Sequence, residues 1–265
     1  MVEDHPEFRE ALCKTISDIP GMQLLEVCKD LPAGLRLVEC KCPDVLLIDL
    51  GLPSGSGLTL IRTAQQRWGK RCTSAVLTVT GNEEHLLTAV GAGAKGYLFK
   101  SDQPNDWRNT VQILSQGQSP LHSNFAQIFL RSATPEPIKG GIRSNVSKGA
   151  SEIVFEEETR NLMLHIAAGY TVTEASSKLG IPVTRAGMRI RGVYDQFLQR
   201  GPDVSARELE LLQLLNRGFA FKKCAELMGV TESTSKTLAA RAYQKLGATN
   251  LQTALYEARV AGLLP

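Results

Sequence analysis

The chain has 265 residues, with 30 Lys and Arg against 27 Asp and Glu, and 43% of its residues are apolar. This length allows one to three domains, and the apolar content excludes a chain that is disordered throughout. No segment approaches the roughly 18 consecutive apolar residues of a transmembrane helix, and the first residues do not resemble a signal peptide. We therefore expect a cytoplasmic protein without a membrane partner, in which the six cysteines are reduced thiols.

Short apolar runs alternate with helical patterns through residues 1–116, which carry 12 basic and 14 acidic residues. Apolar runs of this kind are typical of strands that helices cover on both faces, so the alternation predicts an α/β domain with a doubly wound, five-stranded parallel sheet. Ligands of such sheets bind at the carboxyl ends of the strands. Beyond the short start of the chain, the predicted strands are 23–27, 45–49, 75–78 and 96–99, and the predicted helices are 6–19, 31–40, 58–67, 83–92 and 104–116.

Acidic residues occur where two of these strands end. Glu3 and Asp4 precede the first helix, and Asp49 ends the run Val-Leu-Leu-Ile-Asp. A cluster of half-buried carboxylates is costly unless a cation neutralises it, and oxygen ligands suit Mg²⁺. Thr78 and Lys100 end two further strands at the same edge, where a hydroxyl and an ammonium group would balance a phosphoryl group on an aspartate. Each residue alone has a simpler role as a turn cap, a strand hydroxyl or a solvated charge, but the combination favours phosphoryl transfer.

Four motifs follow one another in this half with a distinctive order and spacing. They are Val-Glu-Asp-His-Pro from residue 2, Asp-Leu-Gly-Leu-Pro from 49, Leu-Thr at 77, and Gly-Ala-Lys-Gly-Tyr-Leu-Phe-Lys from 93. In these four motifs, residues 1–116 resemble a response-regulator receiver domain. The resemblance implies that a sensor histidine kinase phosphorylates Asp49. It also implies a Mg²⁺ site formed by Glu3, Asp4, Asp49 and Gly51, and switch roles for Thr78, Lys100 and Tyr97.

One feature departs from the receiver pattern. Only Met1 and Val2 precede Glu3, whereas receiver domains have several apolar residues before the acid pair. Either the sequence is trimmed at its start or the central strand is unusually short, and in both cases we expect a weakened sheet.

Residues 117–150 are rich in turn formers, with three Pro, four Gly and five Ser. We interpret this segment as a flexible linker, with a short apolar helix at 124–131. Its basic excess would allow a contact with nucleic acid, but a solvated tether is the simpler interpretation.

The C-terminal half contains a repeat with an offset of 49 residues. Residues 155–197 align with 204–246, so that Gly169 matches Gly218 and Tyr194 matches Tyr243. Each copy predicts two short helices joined by a Gly-containing turn and a longer helix after it, which is the helix-turn-helix pattern of DNA-binding proteins. We expect an all-α tandem, with copies at 151–200 and 201–265.

The second copy, over residues 203–265, resembles the LuxR/NarL-type DNA-binding domain. The resemblance rests on Val-Ser-Ala-Arg-Glu-Leu from 204, Cys-Ala-Glu-Leu-Met-Gly-Val from 224, Thr-Glu-Ser-Thr-Ser-Lys from 231 and Tyr-Gln-Lys-Leu-Gly from 243. It implies binding to double-stranded DNA, and a homodimer formed through the last helix at 251–263. The expected DNA contacts are Thr234, Lys236, Thr237, Arg241, Lys222 and Lys245.

The first copy diverges from this pattern in its third helix. Arg185 and Gly187 replace the usual Thr and Lys, although Arg185 and Arg189 keep the helix basic. Two alternatives stay open: Arg185 and Arg189 contact DNA, or the copy serves only as a packing or regulatory element.

The sequence therefore predicts a phosphorylation-gated transcription regulator and not an enzyme. An alternative is a phosphorylation-gated module whose helix-turn-helix units bind a partner protein. An enzyme that uses Asp49 as a covalent nucleophile would need a second acid or base, and the sequence offers no clear candidate.

Overall fold

The computed structural model describes residues 1–53, 55–79, 83–133, 153–200, 204–248, 250–261 and 263–264, without the side chains at 84, 200 and 260. The chain forms two compact units, Met1–Arg200 and Gly201–Pro265. No helix in the described ranges is both long enough and apolar enough to cross a membrane.

A parallel sheet organises the first part of the first unit. Its strands β1 (Val45–Asp49), β2 (Thr73–Thr78) and β3 (Gly96–Phe99) lie in the order β1-β2-β3. Leu46 and Ile48 pack into one apolar cluster and Leu47 into another, which places a core on each face of the sheet. This confirms the predicted doubly wound sheet. Helices α1 (Pro6–Ser17), α2 (Leu31–Cys40), α3 (Gly57–Trp68), α4 (Glu83–Ala92) and α5 (Pro104–Ser115) cover it, with a short 3₁₀ helix at Gly69–Arg71.

The start of the chain forms bridges rather than full strands. Val2 makes single parallel bridges to Ile48 and Cys28, and its N–H donates to the Leu47 carbonyl at 2.8 Å. The described residues therefore contain three strands, and the two further predicted strands, at the start of the chain and at 23–27, are represented only by these single parallel bridges. Val2 lies between Cys28 and Ile48, and the Cys28 N–H also donates to the Met1 carbonyl at 2.9 Å. Beside Met1 lies a cavity of about 560 Å³.

Four more helices lie in the part of the first unit that the structure describes. Helix α6 (Ser123–Ser132) confirms the apolar helix predicted at 124–131, and Phe125 and Phe129 are fully buried. This part of the predicted linker therefore belongs to a packed core, while the rest of it, 134–150, lies outside the described residues. The first helix-turn-helix copy comprises α7 (Glu157–Ala167), α8 (Val172–Leu179) and α9 (Val183–Arg200).

The second unit is entirely helical within its described residues. It contains α10 (Ala206–Asn216), α11 (Phe221–Met228), α12 (Glu232–Leu246) and α13 (Leu251–Val260). The Thr231 side chain accepts from the Thr234 N–H and so caps the N-terminus of α12. Gly229 ends α11 in the left-handed conformation at φ +66°, which a side chain would disfavour, and so sets the turn between α11 and α12.

Candidate functional site

Three predicted site residues meet at the carboxyl edge of the sheet. Asp49 ends β1, Lys100 follows β3, and Glu3 follows the bridge residue Val2. The Lys100 ammonium group donates to Asp49 Oδ2 at 2.7 Å and to Glu3 Oε1 at 2.8 Å. One cation thus links the two carboxylates that the strand ends bring together.

The second oxygen of Asp49 bonds to the chain that follows β1. The Gly51 N–H donates to Asp49 Oδ1 at 2.9 Å. Within the described structure, Gly51 therefore contacts the Asp49 carboxylate through its own backbone N–H. Its predicted role at a metal ion would use the carbonyl and stays a prediction.

Glu3 is fully buried, and only one of its two carboxylate oxygens has hydrogen-bond partners among the described atoms. Oxygen Oε1 accepts from Lys100 and from the His5 N–H at 3.0 Å, whereas Oε2 has no hydrogen-bond partner among the described atoms. Burial raises the pKa of Glu3, and the hydrogen bonds from Lys100 and His5 oppose this shift. Burial lowers the pKa of Lys100, but its hydrogen bonds to Asp49 and Glu3 outweigh that effect, so the net shift is upward.

The acidic residues of this edge fit a divalent cation. Glu3, Asp4 and Asp49 each place a carboxylate oxygen within 4.8 Å of the others. A hard cation such as Mg²⁺ takes oxygen ligands of this kind and keeps several waters. The unpartnered Glu3 Oε2 gives such an ion a buried oxygen that no described hydrogen bond uses.

Two further predicted residues lie along the neighbouring strands. Thr78 ends β2, and its carbonyl accepts from the Lys100 N–H at 2.7 Å. Tyr97 in β3 is buried, and its hydroxyl donates to the Leu86 carbonyl of α4 at 2.7 Å. The Tyr97 ring packs edge-on against Phe125 of α6, with centroids 4.6 Å apart. The apolar pattern at 124–131 predicted this helix, but not that it covers Tyr97.

Most of the expected DNA contacts in the second unit are solvent-exposed. Thr234, Lys236, Thr237 and Arg241 are exposed on α12, and Lys222 is exposed on α11. Lys236 also pairs with Glu232 one turn earlier at 2.7 Å, but 60% of its side chain stays accessible. These residues can therefore approach a ligand from solvent.

The structure places the three remaining basic residues in ion pairs. Lys245 donates to both Glu208 oxygens, at 3.0 and 3.2 Å, and only 17% of its side chain is exposed. Arg185 and Arg189 of α9 pair with Glu158 at 2.8 and 2.9 Å, and Arg189 also pairs with Glu156. Sequence reasoning missed these acidic partners because they lie on other elements than the cations.

Comparisons with known proteins agree with the two families inferred from the motifs. A family model described as response regulator receiver domain matches residues 1–112, and one described as bacterial regulatory proteins, luxR family, matches residues 203–258. Neither of these two ranges includes the first helix-turn-helix copy.

Relatives of known name are similar over part or most of the chain. The transcriptional regulatory protein DegU of Brevibacillus brevis is 22% identical over 257 residues, which are 97% of this chain and 90% of that protein. The nitrate/nitrite response regulator protein NarL of Escherichia coli (strain K12) is 29% identical over 133 residues, half of this chain and 61% of its own length. A solved structure of a LuxR-family two-component response regulator from Aurantimonas sp. SI85-9A1 has 28% identity and a TM-score of 0.45, and covers 49% of this chain and 92% of that chain.

Proposed function

Because this chain belongs to the LuxR-type response regulators, which are DNA-binding transcription regulators with a phosphorylatable receiver domain, we propose that phosphorylation of Asp49 by a sensor histidine kinase controls its binding to double-stranded DNA. The observation that carries this proposal is the convergence of Asp49, Lys100 and Glu3 at the carboxyl edge of the sheet.

The chemistry assigned to Asp49 is nucleophilic. A carboxylate oxygen attacks the phosphorus of a phosphohistidine, the bond from phosphorus to the imidazole nitrogen breaks, and an acyl phosphate remains on the protein. Lys100 lies 2.7 Å from Asp49 Oδ2 and so can balance the charge of the incoming phosphoryl oxygens. Thr78 at the end of β2 is assigned the hydrogen bond to one of those oxygens.

Mg²⁺ would be held by Glu3, Asp4 and Asp49, with Gly51 as a further ligand. When bound, it supplies positive charge to the phosphoryl oxygens during transfer. The close carboxylates and the unpartnered oxygen of Glu3 support this assignment.

Binding to DNA is assigned to α12 of the second unit. A helix that enters the major groove needs exposed donors and cations along one side, and Thr234, Lys236, Thr237 and Arg241 meet this need. Lys222 of α11 is assigned a phosphate contact. We further propose that two copies of the chain pair through α13 on an operator with two half-sites.

The proposal is tested by mapping the phosphorylation site. The full chain is incubated with Mg²⁺ and acetyl phosphate, and the adduct is located by mass spectrometry. We expect one acid-labile phosphate, on Asp49, which is lost in Asp49→Asn and after chelation of Mg²⁺. Asp102→Asn is the matched control, because Asp102 follows the carboxyl end of β3, as Asp49 stands at the carboxyl end of β1, and it should label normally. Undiminished labelling of Asp49→Asn would overturn the assignment.

A further inference from the structure

Helix α9 of the first helix-turn-helix copy is bound to the receiver fold of its own unit. Asp195 pairs with the Lys95 ammonium group at 2.6 Å, and only 8% of the Lys95 side chain is exposed. The Tyr194 hydroxyl donates to the Pro120 carbonyl at 3.0 Å, and the Arg191 guanidinium donates to the Gly117 carbonyl. Three side chains within about one turn of α9 thus contact either Lys95, which directly precedes β3, or the segment between α5 and α6.

The side of α9 that faces the receiver includes a position that α12 uses for a cation. With the repeat offset of 49, Gly187 corresponds to Lys236. Gly187 is buried, and a Cβ atom placed there would lie 3.4 Å from the Gln118 side chain. A methyl group at this position would be in ordinary van der Waals contact with Gln118, whereas a longer side chain would have to displace the Gln118 side chain. The segment between α5 and α6 therefore covers the α9 position that corresponds to a cation of α12.

Two further positions of α9 lack the polar groups that their counterparts on α12 could present to a DNA groove. In the same register, Thr237 becomes Met188 and Arg241 becomes Gly192, so a donor and a cation are absent. Met188 leaves 67% of its surface exposed without offering a hydrogen-bond donor to a base edge.

Two arginines of α9, Arg185 and Arg189, pair with acids of the same copy. Arg189 donates to Glu158 at 2.9 and 3.0 Å and to Glu156 at 2.7 Å, and Arg185 donates to Glu158 at 2.8 Å. Glu158 corresponds to Arg207 of the second copy, so the charge at this position is reversed. A phosphate that approached the arginines would meet carboxylates beside them.

We propose that the first copy binds the receiver of its own chain instead of DNA, and that α6 and α9 form an adaptor over the switch residue Tyr97. An aromatic series supports the coupling. Tyr97 packs on Phe125 of α6, and one turn later Phe129 packs on Tyr194 and Phe197 of α9, with centroids 5.2 and 4.7 Å apart. A displacement of Tyr97 would therefore move α6 and reach α9. The coupling part of this inference rests on the proposed switch role of Tyr97, whereas the docking of α9 does not depend on which residue of the receiver is phosphorylated.

The first test measures DNA binding of the full chain. Fluorescence anisotropy with a labelled 40-base-pair duplex of mixed sequence gives the slope of log affinity against log salt. We expect Arg185→Ala with Arg189→Ala to leave this slope unchanged. The matched pair Lys236→Ala with Arg241→Ala should flatten it by about 1.8, because each phosphate contact contributes about 0.9. A flattening of about one or more in the α9 double variant would overturn the proposal.

The second test follows the backbone of α9 by hydrogen exchange, again in the full chain. We expect residues 186–198 to be protected without DNA and to gain no protection when the duplex is added. Gly187→Lys should speed their exchange at least tenfold, whereas Gly187→Ala, which adds only the methyl group that fits, should not. Protection of α9 that appears only with the duplex, or a Gly187→Lys chain that keeps its protection, would refute the docking of α9 on the receiver.

Discussion

Two lysines on α12 pair with glutamates but differ in burial, and this difference predicts opposite roles. Lys245 and Glu208 leave 17% and 4% of their side chains exposed, whereas Lys236 and Glu232 leave 60% and 45%. In Lys245→Met, Glu208 keeps its bond from the Ser205 N–H at 2.7 Å but loses its cation. Breaking a fully buried pair costs about 3–5 kcal/mol, and with some water at Lys245 we expect about 2–3 kcal/mol. Lys236→Met should cost only about 0.3–0.5 kcal/mol.

Hydrogen exchange of the amides in α10, α11 and α12 measures these costs in the full chain, because local opening reports local stability. A loss of about 2 kcal/mol corresponds to roughly 30-fold faster exchange, at about 1.4 kcal/mol per factor of ten. Lys236→Met should change exchange by no more than about twofold to threefold. Methionine keeps most of the apolar stem in both variants, so the comparison isolates the charge.

DNA binding should rank the two lysines in the opposite order. Lys236→Met removes an exposed cation and should flatten the salt slope of duplex binding by about 0.9. Lys245→Met should leave the slope unchanged at temperatures where the unit stays folded, because Lys245 is committed to Glu208. This expectation departs from the sequence-based prediction that Lys245 contacts DNA. A flatter slope with unchanged exchange in Lys245→Met would refute the reasoning.

Two other predictions concern α13 and the cap of α8. Ala254 and Ala258 are fully buried within their own unit, so dimer contacts through α13 must use its partly exposed side. Leu255→Glu should lower dimer formation in sedimentation velocity, with some loss of unit stability because Leu255 also packs against the buried cluster, and an unchanged dimer would exclude this helix. Hydrogen bonds from the Thr171 N–H and hydroxyl lower the pKa of Glu174. The stabilisation by the ionised Glu174 is therefore present above the ordinary carboxyl pKa and is lost as pH falls through the lowered pKa. In thermal unfolding, we expect the wild type to lose its stability advantage over Glu174→Gln below about pH 4.5. The same pH dependence in both proteins would contradict this.

The sequence predicts the strands around the site well. Strands 45–49 and 96–99 have the predicted bounds, because continuous apolar runs buried on both faces end at a polar or charged residue. Asp49, Glu3 and Lys100 follow from this, since parallel strands bring their carboxyl ends to one edge. The predicted strand at 23–27 failed because a strand also needs a partner, and Val2 provides only a single bridge to Cys28.

The sequence does not predict which charges are solvated. The position of Lys245 on α12 is fixed by helical periodicity, but its partner Glu208 lies on α10, two helices earlier in the same copy. The same holds for Arg189 of α9 and Glu158 of α7. Periodicity describes one helix at a time, so ion pairs between helices stay invisible until the packing is known.

A sequence repeat is evidence that two copies share a buried core, and it is weaker evidence that they share an activity. Leu162 and Leu211 are also related by the offset of 49, and both are fully buried at equivalent places in the two copies. The positions that decide DNA binding lie on the surface, where Lys236 is exposed and its counterpart Gly187 is covered. Core positions constrain the fold, whereas exposed positions can change without unfolding it. A diverged helix-turn-helix copy can therefore keep its three helices while its groove-reading side acquires a protein partner.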